Sequence, residues 1–141
     1  MNDFHVSTQL TALIETCDAA ECGFIGCASN ANRMDLQLMM TQRASAWRRW
    51  AGELRSLPDS NANVLHSTLL VDAAQQVYSD MSLLAECERI EQAAVRRYRD
   101  VLEQDLPPVV RAVIQRQVDS IQRSRAHMRS LRAGTDQRAA A

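Results

Sequence analysis

The amino-acid sequence predicts an all-α protein, an antiparallel four-helix bundle, and three observations carry that expectation. Ala, Leu, Arg, Glu and Gln are abundant while aromatic residues make up only 4%, a composition that favours helix over sheet. Only 4 Gly and 3 Pro occur in 141 residues, so breaks are scarce and the elements must be long. Apolar residues recur every three or four positions in four separate windows, the period of an amphipathic helix. A 46% apolar content at this length suits one domain with one core.

The first helix is expected over Thr8–Ala28, capped by Ser7, with Leu10, Leu13, Ile14, Cys17, Glu21 and Phe24 on one face. Residues 1–7 then form an N-terminal arm. Ser29–Asn32 reads as a turn. The second helix, Arg33–Leu57, carries the stripe Leu36, Met40, Arg43, Trp47, Trp50 and Leu54, and Pro58-Asp59-Ser60-Asn61 stops it. Between Asn61 and Tyr78, the residues Val64, Leu65, Leu69, Val71 and Val77 allow a short helix inside a long crossover. Ser79 or Asp80 caps the third long helix, which runs to Glu103 with Leu84, Cys87 or Glu88, Glu91, Ala94, Tyr98 and Leu102 inward. Asp105-Leu106-Pro107-Pro108 is the sharpest boundary, since Pro fits the first turn of a helix. The fourth helix follows to Leu131 with Val110, Val113, Ile114, Gln117, Ile121, Ser124, Met128 and Leu131 inward. The bundle is placed at residues 8–132 and a flexible tail at 133–141. Two hairpins joined by one long crossover is the connectivity of ferritin-like bundles.

Formal net charge is −1, from 16 basic and 17 acidic residues, and every basic residue is Arg. That balance argues against a nucleic-acid partner, which calls for a basic excess on one face. No apolar stretch approaches the roughly 20 residues that span a bilayer, and no signal sequence opens the chain. A cytoplasmic location with no membrane partner is expected, with Cys17, Cys22, Cys27 and Cys87 reduced. The first three thiols fan around one helix and cannot share a metal, so a core-filling role is the expectation.

Polar residues interrupt the apolar faces near the middle of each helix: Glu21, Arg43, Glu88 or Glu91, and Gln117. A buried carboxylate must be neutralised. In di-iron bundles the neutralising cations are metal ions, held by Glu on two helices and Glu-x-x-His on the other two. Glu-x-x-His does not occur: Asn2, Asn63 and Ser124 stand three residues before His5, His66 and His127. The expectation is therefore a polar layer in which Arg43, whose guanidinium can bind carboxylates bidentately and keeps its charge, pairs with Glu21 and with Glu91 or Glu88, completed by Gln117. The same residues at the edge of the stripe, reaching water, are the other reading. No catalytic residue, metal site or cofactor is expected; should iron bind after all, Glu21, Glu88 and Glu91 are its candidate ligands.

Glu86-Cys87-Glu88-Arg89-Ile90-Glu91-Gln92-Ala93-Ala94 together with Asp105-Leu106-Pro107-Pro108-Val109-Val110-Arg111 resembles the third and fourth helices of a family of bacterial ferritin-like four-helix-bundle proteins of unknown function. Tyr98-Arg99, Gln115-Arg116-Gln117, Arg129-Ser130-Leu131-Arg132, Leu13-Ile14-Glu15-Thr16-Cys17 and Glu21-Cys22-Gly23-Phe24 are similar too, so the resemblance covers Leu10 to Arg132. It implies an architecture shared with ferritins and rubrerythrins. Family members carry His late in the last helix, where this chain has Arg125 and, two residues on, His127. The expected function is a non-catalytic bundle with a stress-related or scaffold role, homodimeric through Trp47, Trp50, Met39, Met40 and the Val64–Val71 segment. The alternatives are a di-iron protein of iron storage or oxidation, and a regulatory partner of another helical protein.

Overall fold

The computed structural model describes residues 3–60 and 79–140, with side chains for 4–60 and 79–134. Four helices account for almost all of them: α1 (Asp3–Asn30), α2 (Met34–Arg55), α3 (Asp80–Leu102) and α4 (Pro108–Ala140). No strand occurs among the described residues, and none of their helices is long and apolar enough to cross a membrane. The short helix expected in Asn61–Tyr78 lies outside the described residues.

Two boundaries differ from the sequence expectation. The first helix begins at Asp3, so Ser7 is inside it rather than at its cap, and residues 3–7 are not an arm. The reason is packing: Val6 continues the face of Leu10, Leu13 and Ile14 by one turn and is as buried as they are. The adjoining His5 ring nitrogen meets the Gln104 side-chain oxygen at 3.2 Å. The last helix passes Leu131 and runs to Ala140, where a frayed tail was expected. No Pro follows Leu131 to end it, and Ala, the best helix former, is the commonest residue of the segment.

The other ends are held by contacts between helices. Ser79 caps α3, its hydroxyl accepting from the Ser82 N–H at 3.1 Å. Asp80 does a different job. Its carboxylate accepts from the N–H groups of Asn32 (2.8 Å) and Arg33 (3.2 Å), where α1 turns into α2. An anion at a helix start satisfies donors that have no partner within the helix, and α2 has no side-chain cap of its own. At the opposite end, Arg111 donates to the carbonyls of Leu102 (2.6 Å) and Gln104 (2.7 Å). This cation closes the C-terminus of α3 from the first turn of α4.

These contacts also set direction. α1 packs on α2 and α3, and α3 packs on α4. The start of α1 meets the end of α3 through His5 and Gln104, so those two helices are antiparallel. α2 and α3 run parallel, because Arg33 meets Asp80 near their starts and Arg43 meets Glu91 about ten residues further along both. The chain therefore leaves α2 at the end of the bundle opposite to where α3 begins. The core at the centre contains Trp47, Tyr98, Phe24 and Met40, all fully buried, with the Trp47 and Trp50 rings edge to face at 4.9 Å.

Two glycines test the packing of the helices. A Cβ on Gly52 would meet open space, whereas one on Gly23 of α1 would lie 2.6 Å from Cδ1 of Ile90 on α3. Gly52→Ala should stabilise the fold by about 0.5–1 kcal/mol through helix propensity alone. In Gly23→Ala the shift forced on Ile90 should cancel that gain. Urea denaturation midpoints check both, and equal gains would show that α1 and α3 are not in close contact there.

Candidate functional site

Among the described residues, the buried polar side chains are Asp18, Glu21, Glu91 and Gln117. Glu91, on the inner face of α3, has no exposed surface at all. Its Oε2 accepts from Nη2 of Arg43 at 2.5 Å. Arg43 comes from the facing stripe of α2, and its other terminal nitrogen, Nη1, donates to Oγ of Ser124 on α4. The guanidinium also lies 5.7 Å from the centre of the Trp50 ring, a cation–π distance. Ser124 passes its own proton to the Ser120 carbonyl at 3.1 Å. Arg43 therefore bridges α3 and α4 rather than gripping one carboxylate with both nitrogens. Two helices present acceptors to the two ends of the guanidinium.

Burial pushes the Glu91 carboxyl above its ordinary value, and the charge and hydrogen bond of Arg43, with the charge of Arg125 from α4, pull it back only in part. The site is under-supplied with hydrogen bonds. Glu91 Oε1, Arg43 Nε, Glu21 Oε1 and Trp47 Nε1 are all buried without a hydrogen-bond partner among the described residues. Each such group costs about 1–3 kcal/mol unless water reaches it.

The remaining residues of the expected layer are distributed differently. Glu88 faces the rim of α3 and pairs with Arg132 at 2.6 Å, and Cys87 takes the inward position. Gln117 belongs to a second network. Its oxygen accepts from the Tyr98 hydroxyl at 2.6 Å, and its amide donates to Glu53 Oε1 at 2.7 Å and to the Trp50 carbonyl at 3.3 Å. Glu53 also accepts from Arg116 at 2.7 Å. Burial pushes Glu53 up, but the hydrogen bonds from Gln117 and Arg116 and the charge of Arg116 outweigh it, leaving the carboxyl below its ordinary value. Because Tyr98 spends its proton on Gln117, the Cys17 thiol, 3.2 Å away, is the donor to the Tyr98 oxygen. Glu21 is buried on α1 and makes no described bond to Arg43. Asp18, one turn before it, is held by Arg55 at 2.5 Å.

Sequence reasoning missed Glu53, Asp18 and the hydroxyl of Tyr98. The Tyr98 signal was available: a tyrosine on a core stripe needs a polar partner for its hydroxyl, and Gln117 was the unpaired amide. Asp18 and Glu53 each sit next to a core position, and nothing local marked them as inward.

Among the described residues no three His, Cys, Asp or Glu side chains gather closely enough to hold a metal ion. Glu21, Glu88 and Glu91 do not converge, because Glu88 points to the rim. His127 is exposed, and His66 lies outside the described residues. Beside the Arg43 pair, a groove of about 1000 Å³ runs between α2 and α4, lined by Arg43, Arg49, Trp50, Arg116, Arg123 and His127 among others. What the arrangement can do chemically is hold opposite charges at a fixed distance. No protein-family model matches the chain, and no curated protein matches it in sequence.

Arg43→Met should destabilise the protein by about 3–5 kcal/mol near pH 8, because it strands an ionised Glu91 in the core. The sign with pH follows from Glu91. A carboxyl raised on folding favours the folded state below its unfolded value and loses that contribution as pH rises through its folded value. Removing Arg43 raises it further, so the loss should be smaller at pH 5 than at pH 8, while Glu91→Gln should abolish that difference. Urea unfolding at the two pH values checks this. An Arg43→Met protein with unchanged stability and pH dependence would mean that the ion pair contributes nothing.

Proposed function

We propose that this chain is a ferritin-like helical bundle, related in architecture to ferritins and rubrerythrins, that works without a di-iron centre as a non-catalytic scaffold or interaction protein. The observation that carries the reading is the guanidinium of Arg43 at Glu91. A di-iron bundle neutralises its central carboxylates with metal ions supported by His. Here a permanently charged side chain neutralises the central carboxylate, and Ser124 stands at the facing position on α4. The parallel run of α2 and α3 supports the ferritin-like connectivity, since it requires a crossover along the bundle. The resemblance of Glu86–Ala94 and Asp105–Arg111 to the bacterial ferritin-like family agrees with it.

A homodimer is part of the proposal; of the surface the sequence suggested, the Val64–Val71 segment lies outside the described residues and Trp50 is half-buried. Trp47, Met39 and Met40 lie in the core and are not available for a contact. Met34 and Leu38, one turn apart on α2, are instead 81% and 58% exposed, and apolar side chains adjacent on a helix face favour self-association. A cytoplasmic location fits free thiols at all four cysteines.

Metal analysis of protein purified from iron-supplemented cells tests the central claim. Far less than one iron per chain is expected, and two per chain would overturn it in favour of a di-iron protein. Light scattering should give a dimer that Leu38→Glu converts to monomer. A wild-type monomer at high concentration would remove the dimer.

A further inference from the structure

The bundle is closely packed on three of its sides, α1 against α2, α1 against α3 and α3 against α4. On the fourth side, α2 and α4 are joined chiefly by polar side chains. Arg43 reaches Ser124 at one level, and Glu53 takes Arg116 and Gln117 at another. The groove of about 1000 Å³ lies along this seam. It stays open at the Arg43–Ser124 bridge and beside it because the side chains there are small: Ala46 on α2, and Ser120 and Ser124 on α4.

Charge in the groove is unbalanced, although the whole chain carries a formal −1. Arg43, Arg49, Arg116 and Arg123 line it, against the carboxylates of Asp35 and Glu53. Both carboxylates are spent. Asp35 is held by Arg33 at 2.5 Å, and Glu53 by Arg116 and Gln117 at 2.7 Å each. Arg43 is neutralised from the core by Glu91. That leaves Arg49 and Arg123, both exposed and neither in an ion pair among the described residues.

These two cations share one level of the groove. The bridges at Arg43 and Glu53 set an antiparallel register in which Arg49 of α2 stands level with Ser120 of α4. The Ser120 hydroxyl is fixed by donating to the Arg116 carbonyl at 3.1 Å, and it accepts from Nη2 of Arg123, also at 3.1 Å. Arg123 is thereby drawn back along α4 to the level of Arg49. Like charges in a cleft walled by protein concentrate counter-ions within it. A guanidinium presents a planar fork of donors that fits two phosphate oxygens at once. A phosphate ester carries nearly two negative charges at neutral pH, so two guanidinium groups at one level balance it.

We propose that the α2–α4 groove binds the phosphoryl dianion of a small phosphorylated molecule, clamped between Arg49 and Arg123. The groove has the volume of a small-molecule site. Beyond the Arg43–Ser124 bridge, Met39 and Leu131 offer apolar contact to the rest of the ligand. The site does not depend on the scaffold reading, since neither arginine takes part in the Glu91 pair.

Calorimetric titration of the full chain at pH 7.5 and constant ionic strength tests the clamp, with inorganic phosphate and phenyl phosphate as probes. Saturable binding of a single phosphoryl group per chain is expected, with a rise in melting temperature as the probe concentration increases. Arg49→Gln and Arg123→Gln should each weaken binding about tenfold, as the loss of a charge-assisted partner implies. Arg97→Gln, at an exposed arginine on the α1–α3 groove, should leave binding unchanged. All three positions are exposed, and far-UV circular dichroism confirms that the variants are folded. Tighter binding of phenyl phosphate would identify the occupant as an ester and equal binding as free phosphate, and either supports the clamp. Heat that grows without saturation, equal weakening by Arg97→Gln, or binding of hexaglutamate where both phosphates fail would each overturn it, the last in favour of an acidic protein partner.

Discussion

A carboxylate with no exposed surface in the middle of a helical bundle constrains everything around it. Taking an ion out of water costs several kcal/mol even after relaxation, so Glu91 tolerates only arrangements that bring a cation to it. Arg43 supplies that cation, which fixes the rotation of α2 about its axis and its height relative to α3. Because the same guanidinium reaches Ser124, it also fixes α4. A leucine at position 91 would pack in many registers, whereas the ion pair accepts few. The pair is thus better understood as a device that selects one arrangement than as a source of net stability, since buried ion pairs often fall short of well-packed apolar replacements.

The second polar network sits further along the same helices and repeats that logic with neutral groups. Tyr98, Gln117 and Glu53 join α3, α4 and α2 through short hydrogen bonds, and Arg116 carries the chain out to solvent. Together the two networks tie α2 to α4 through polar side chains, whereas α1 joins its neighbours through the apolar core together with the Asp18–Arg55 ion pair and the Cys17–Tyr98 contact. The ends are closed in the same manner, by Asp80 on the start of α2 and Arg111 on the end of α3. The bundle is held in register by side chains that reach between helices, and the apolar faces supply the bulk of the driving force.

How much of this was visible beforehand depends on whether a feature is local. The stripe Leu36, Met40, Trp47 and Leu54 identifies the inner face of α2 because helical periodicity is encoded within a few residues, and all four are fully buried. The Pro107-Pro108 boundary was legible for the same reason. The start of α1 was not, because Ser7 resembles a cap in isolation and only the burial of Val6 against the core extends the helix past it. For the site, position on the stripe marked Arg43, Glu91 and Gln117 as inward-facing. It could not say that Arg43 would divide its nitrogens between Glu91 and Ser124, that Gln117 would turn to Tyr98, or that Glu88 would leave for Arg132.

The sequence by itself determined that the chain is helical, roughly where three of the four helices begin, and that Glu21, Arg43, Glu91 and Gln117 would have to be accommodated inside. Those properties follow from residue type and from spacing along a single helix. The tertiary structure alone decided the pairing: which cation met the carboxylate of Glu91, and which buried groups were left without partners. A helix presents several candidates on each face within one turn, and the choice among them rests on the rotation and rise of its neighbours. Those quantities are set by the packing of the entire core, and no short stretch of sequence contains them. The central carboxylate was therefore foreseeable as a residue that needed a counter-charge, while the bridge that Arg43 builds across three helices came from the fold.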